Sequence, residues 1–200
     1  YENEWPESIA ELRAIENGPF VGYLNGKEVL YTVVSEPVVS GPWVTFTAEE
    51  DNSSIGLAKL STNQTLEYST DATNWNDFNT TTNVSLNNRD KVYVRGILSA
   101  DNAIYSNYTQ FKMSGKIAAS GHCNALWTYN DLEAPLKELC GYKMFQGCTS
   151  LTTVPVLPAI VSAVYCYREI FSGCTSLTTA PELPATTLAD GCYSHMFKGC

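Results

Sequence analysis

The sequence predicts a mainly β protein: a small β-sandwich followed by a solenoid of 25–26-residue repeats with short helical turns. Three observations carry that expectation. The stretch Gly147-Cys148-Thr149-Ser150-Leu151-Thr152-Thr153 returns 26 residues later as Gly173-Cys174-Thr175-Ser176-Leu177-Thr178-Thr179, and Gly199-Cys200 opens a third copy. Between residues 148–159 and 174–185, ten of twelve positions are identical. Ahead of the repeats, residues 43–115 carry short alternating apolar stretches separated by Asn, Asp, Ser and Gly. That is the pattern of short antiparallel strands joined by turns. A fixed period near 26 marks a unit that buries its apolar side only against its neighbours.

The chain reads as three segments. In residues 1–42, an amphipathic helix is predicted over 6–16, with Ile9, Leu12 and Ile15 on one stripe and Gly18 ending it. Segments 21–24 and 28–33 flank Asn25-Gly26, a strong hairpin signal. The assignment of this segment to a domain is left open. Residues 43–118 form the sandwich, with strands predicted over 43–48, 55–60, 65–69, 74–78, 84–86, 91–97 and 109–113. Its alternation places Leu66, Tyr68 or Trp75 in the core.

Residues 119–200 form the array: a cap repeat over 119–142, then two repeats, with the chain stopping inside a further one. Columns 26 apart run through Cys140, Cys166 and Cys192, through Phe145, Phe171 and Phe197, and through Met144, Ile170 and Met196. Segment 177–183 suits a strand, and 192–197 suits one helical turn with its Met-Phe pair inward and Gly199 closing it. A strand on one side and a short helix on the other is the build of a leucine-rich repeat. An array that stops at Cys200 exposes an apolar edge, so the natural protein is expected to continue.

Composition narrows the function. A net charge of −9 and a pI near 4.6 argue against nucleic acid, which needs a basic face. No apolar run approaches membrane-spanning length. No signal peptide is visible, and Tyr1 is not an initiator residue, which predicts a trimmed N-terminus. The abundance of Thr, Ser, Asn and Tyr with few charges leans towards secreted β-proteins. Seven cysteines leave at least one unpaired. Buried thiol ladders, bridges along a column and a Cys-x7-Cys bridge within each repeat all remain open. Zinc favours close Cys-x-x-Cys pairs and none occurs, so no metal and no cofactor is expected.

Enzymatic chemistry is not expected. His195 occupies a column shared with Lys143 and Glu169, the mark of a solvent-facing position, and His122 has no readable nucleophile arrangement around it. Glu49-Glu50-Asp51 and Asp131/Glu133 read as solvated turns, because no Asp-x-Asp-x-Asp-Gly calcium spacing is present. Asn-x-Ser/Thr sequons at Asn52, Asn63, Asn79, Asn83 and Asn107 would matter only in a eukaryotic secreted protein. The better candidates are outward side chains of the repeat strands: Thr152, Thr153 and Val156 in register with Thr178, Thr179 and Glu182. Trp127 and Tyr129 of the cap are a further ligand-binding candidate, as sugar-stacking rings, against the plainer reading that they form cap core.

The run Ile170-Phe171-Ser172-Gly173-Cys174, continued by Leu177-Thr178-Thr179-Ala180-Pro181-Glu182-Leu183-Pro184-Ala185, resembles the repeats of BspA-like leucine-rich-repeat surface proteins of gut and oral anaerobic bacteria. Met144 and Met196, before Phe145 and Phe197, are similar to that family's Met-Phe pair, and residues 66–75, 91–96 and 114–121 resemble the β-domain that precedes such arrays. The resemblance covers about residues 43–200. It implies a non-enzymatic protein of the cell surface or outer membrane, facing the extracellular space, that engages a host protein or glycoprotein. The alternative is an accessory surface lipoprotein of an outer-membrane glycan or peptide uptake complex, partnered by transport proteins. No lipid-attachment cysteine stands at this N-terminus, so membrane association is expected only through an anchor that the sequence does not display.

Overall fold

A computed structural model describes residues 20–24, 27–31, 41–100, 105–157 and 163–200. The protein is mainly β, with one short helix among the described residues. It divides into two compact units, Tyr1–Val39 and Ser40–Cys200. In the first, β1 (Phe20–Leu24) and β2 (Lys27–Tyr31) pair antiparallel with Leu24 opposite Lys27. The hairpin signal Asn25-Gly26 between them lies outside the described residues. The helix predicted over 6–16 lies outside the described residues.

The second unit contains β3 (Val44–Ala48), β4 (Ser53–Lys59), β5 (Gln64–Ser69), β6 (Asn76–Asp77), β7 (Asn83–Leu86), β8 (Lys91–Leu98), β9 (Gln110–Ser114), β10 (Ile117–Gly121), helix α1 (Ala125–Thr128) and β11 (Leu151–Thr153). A six-stranded sheet has the order β11-β10-β3-β8-β5-β6, and a three-stranded sheet the order β7-β4-β9. All pairings are antiparallel except β10 with β11. Period-two alternation buries Val44, Phe46 and Ala48 of β3 and Val92 and Val94 of β8. Phe46 meets Phe111 of the other sheet with ring centroids 5.3 Å apart. Each such buried side chain contributes roughly 1.5–3 kcal/mol.

This core does not stop at the two sheets. Phe111 stacks on Phe145 at 5.0 Å, Phe145 on Phe171 at 5.7 Å, and Phe171 on Phe197 at 6.0 Å. The Phe column of the repeats therefore extends the core between the two sheets. Hydrogen bonds follow the same path: Phe111 N–H donates to the Met144 carbonyl, Ile117 N–H to Ser150 and Cys123 N–H to Val156. Helix α1 lies against β8 at Gly96, where a Cβ would stand 2.6 Å from the Leu126 carbonyl oxygen. Buried Gln64 ties the same region together, donating to the Leu126 carbonyl at 2.6 Å and accepting from Thr109 Oγ1 at 2.6 Å.

Successive turns of the repeat region stack with a fixed backbone ladder. N–H groups of Lys143, Phe145 and Gly147 donate to carbonyls of Arg168, Ile170 and Ser172; 26 residues on, Glu169, Phe171 and Gly173 donate to Ser194, Met196 and Lys198. The intervening residues close i→i−3 turns, as Tyr142 does on Leu139 and Met144 on Gly141. The expected helical turn is not what forms here. Leu139, Gly141, Lys143, Tyr165, Tyr167, Glu169, Tyr193 and His195 have φ between 53° and 70°. Left-handed residues alternating with right-handed ones cannot propagate an α-helix. They aim alternate N–H groups at the neighbouring turn, and the hydrogen bonds gained offset the strain. The inward placement of Met144, Phe145, Ile170, Phe171 and Met196 agrees with expectation, all five being buried.

Other expectations need correction. The strand predicted over 177–183 is not formed, whereas its counterpart β11 is, because β11 has β10 beside it to pair with. The strand predicted over 74–78 shrinks to β6. Ahead of it, Asp71 accepts bonds from Thr73 N–H, Asn74 N–H and Asn74 Nδ2, which curl the chain into a turn. β10 and α1 were not foreseen inside or beside the expected cap.

Candidate functional site

The six predicted repeat-face residues differ in availability. Thr152 is half-buried, its hydroxyl donating to Glu49 Oε2 at 2.8 Å, and Thr153 Oγ1 donates to the Ala119 carbonyl at 2.9 Å. Thr152 Oγ1 also lies 3.2 Å from the Ile117 carbonyl, so both hydroxyls engage β10, beside which β11 is the edge strand of the large sheet. Val156 is 62% exposed although its backbone is anchored on both sides, to Gly121 and Cys123. Thr178, Thr179 and Glu182 are exposed in the following repeat. The surface thus offers Thr153, Val156 and the Thr178, Thr179, Glu182 group, while Leu151, Pro155 and Leu157 point inward.

Trp127 is not a sugar platform. It is 1% exposed, donates from Nε1 to Asn124 Oδ1 at 3.1 Å and rests on Tyr167. Tyr167 in turn stacks on Tyr193 at 5.7 Å with planes 5° apart. The aromatic column is packing. Tyr129 is half-buried, with the Arg95 guanidinium 4.5 Å from its ring centroid.

Sequence reasoning missed the aromatic outer face of the large sheet. β8 presents Tyr93 and Arg95 away from the core that takes Val92 and Val94. Arg95 lies 3.8 Å from the Trp75 ring centroid and 2.9 Å from Glu67 Oε2, its cross-strand partner on β5. Trp43 closes the group, 5.6 Å from Trp75 and 5.7 Å from Tyr93. Arg95 is held on several sides, so this face is a braced surface with a fixed cation. The usable signal was the parity of Tyr93 and Arg95 along β8.

All seven cysteines are free thiols, and five of them are buried. Three form a ladder in which Sγ of Cys148, Cys174 and Cys200 faces the carbonyls of Phe111, Phe145 and Phe171 at 3.4, 3.1 and 3.0 Å. Burial pushes the Cys123 and Cys148 thiols well above their ordinary range and Cys174 up to about 12. Neutral buried thiols are poor nucleophiles and poor ligands. His122 is held below its ordinary 6.5 by burial, against an opposing pull from Glu133. Its Nδ1 is buried without a partner. His195 is exposed and touches the Ser194 hydroxyl at 2.9 Å. Among the described residues no group of three or more His, Cys, Asp or Glu is placed to hold a metal ion, and no helix is long and apolar enough to cross a membrane.

No family model matches the chain, and comparison with curated proteins and with solved structures gives no match.

Proposed function

We propose that residues 119–200 are a leucine-rich-repeat array of the BspA-like kind, carried by a β-sandwich, and that the chain is a non-enzymatic binding protein of a bacterial cell surface. In this reading the repeat face engages a host protein or glycoprotein. The observation that carries it is Val156, a β-branched apolar side chain 62% exposed in the outward column that Glu182 continues one repeat later. An apolar residue held out of a core by a fixed backbone, with polar Thr178, Thr179 and Glu182 nearby in the array, has the composition of an interface centre and rim.

Affinity purification of the protein from its native membrane, with mass spectrometry of what accompanies it, identifies the partner. Against that partner, alanine at Val156, Thr178, Thr179 and Glu182 together is expected to lower affinity at least about tenfold. Unchanged affinity would move the site to the sandwich. Co-recovery of a transporter would instead make the protein an uptake accessory.

A further inference from the structure

A second surface, unrelated to the repeat face, gathers four tyrosines and three cations. Tyr105 and Tyr108 come from the segment before β9, Lys59 from the end of β4, and Tyr142, Lys143, Tyr165 and Arg168 from two successive repeat turns. Tyr105 meets Tyr142 at 5.5 Å and 73°, and Tyr108 meets the same ring at 5.4 Å and 72°, so two rings stand edge-on to a third. Tyr165 lies 5.7 Å from Tyr105. Over these rings sit the cations: Lys59 Nζ is 4.1 Å from the Tyr108 centroid, Lys143 Nζ 5.2 Å from Tyr142, and the Arg168 guanidinium 5.5 Å from Tyr105 and 5.4 Å from Tyr165.

The charge is unbalanced. Glu169 pairs with Lys143 at 3.6 Å and with Arg168 at 3.3 Å, while Lys59 donates to the Ser106 carbonyl. Three cations around one paired carboxylate make a positive island on a chain of net charge −9. On a chain of net negative charge, such an island favours the local approach of an anion. The surface is also accessible: Tyr105 is 47% exposed, and the other members except Tyr142 are half-buried.

We propose that this cluster is a subsite for an anionic saccharide. A pyranose ring lies against the tyrosine faces with its C–H groups on the π surface, and its carboxylate or sulfate sits between the Lys59 and Lys143 ammonium groups. Tyrosine hydroxyls and Glu169 serve the sugar hydroxyls. An acidic peptide fits less well. β4 is hydrogen-bonded on both sides, by β7 and β9, and the other members sit on turns and loops, so no open strand edge offers main-chain bonds to an extended chain. The site joins the sandwich to the repeats, with Lys59, Tyr105 and Tyr108 from one and Tyr142, Lys143, Tyr165 and Arg168 from the other.

Isothermal titration calorimetry of the whole chain tests this, with sialyllactose and a heparin-derived tetrasaccharide as probes and lactose as the neutral control. One or both anionic probes should bind saturably, more weakly as salt rises, and lactose should not. Sialyllactose alone would assign a sugar carboxylate, and the heparin fragment alone a sulfate. Lys59→Gln with Lys143→Gln should weaken binding at least about tenfold, the loss expected for charge-assisted hydrogen bonds. Tyr105→Ala, at an exposed ring, should weaken it severalfold while the thermal melt stays unchanged. Absence of binding by the parent chain, or equal affinity in both variants, would overturn the proposal. So would a poly-glutamate peptide that binds as tightly through the same lysines.

Discussion

Individual side chains in this protein are governed by burial more than by their own chemistry. Thiols show it most clearly. Cys123, Cys140, Cys148, Cys166 and Cys174 are closed off from solvent, Cys192 is half-buried and Cys200 is exposed. A thiol reagent applied to the native protein should modify Cys200 promptly and Cys192 slowly, with the remaining five reacting only after denaturation. Fast reaction of a third thiol would show that the repeats open. His122 makes the complementary point about pH. Burial holds its folded-state pKa below 6.5, so the unfolded chain binds the extra proton first as pH falls. Stability is complete above about pH 6.5 and declines as pH falls towards the depressed value. His122→Gln should flatten this part of the profile, read as the difference in denaturation midpoint between pH 7.5 and 5.5. An equally steep profile in the variant would assign the loss to other groups. The burial of Trp127 was not decidable from its sequence neighbours. Its cover is Tyr167, forty residues on, and only the stacking of turns brings the two together.

At the scale of elements, strands declare themselves and the repeat turns do not. Lys91-Val92-Tyr93-Val94-Arg95-Gly96 alternates cleanly and becomes β8, at the centre of the large sheet. The turn 192–197 carries a Met-Phe pair that suits a helix equally well, and no local propensity announces left-handed φ at Lys143, Glu169 or His195. At Lys143 and Glu169 the N–H groups donate to the Arg168 and Ser194 carbonyls of the next turn, which supports those angles. Glycine at 147, 173 and 199 was the visible trace of this geometry, since all three have φ between 73° and 77°. Gly173→Ala places a Cβ 3.6 Å from Gly147 Cα, which is tolerable contact, but in a left-handed conformation. It should cost about 1 kcal/mol and lower Tm by roughly 2–4 °C. Unchanged Tm would mean that the turn tolerates a right-handed residue there.

For the whole second unit, the decisive feature is a core shared across the expected domain boundary. Phe46, Phe111, Phe145 and Phe171 form one aromatic run, and β11 of the first repeat is an edge strand of the six-stranded sheet. Residues 41–200 should therefore unfold in a single cooperative calorimetric transition, and Phe145→Ala should lower it by about 3–5 kcal/mol. Two separable transitions, only one moved by the substitution, would show independent domains.

By itself, the sequence determined the β class, most of the strands between residues 43 and 113, the 26-residue register and the inward Met, Ile and Phe columns. It could do so because alternation and repetition are local properties of the chain. Tertiary structure alone decided that Thr152 and Thr153 spend their hydroxyls on the joint, that Val156 stands in solvent, and that Lys59 and Lys143 both face the Tyr108 ring. The reason is distance along the chain. Lys59 and Lys143 belong to elements with unrelated patterns, and no spacing rule connects a sheet residue to a repeat turn until the common core sets them side by side.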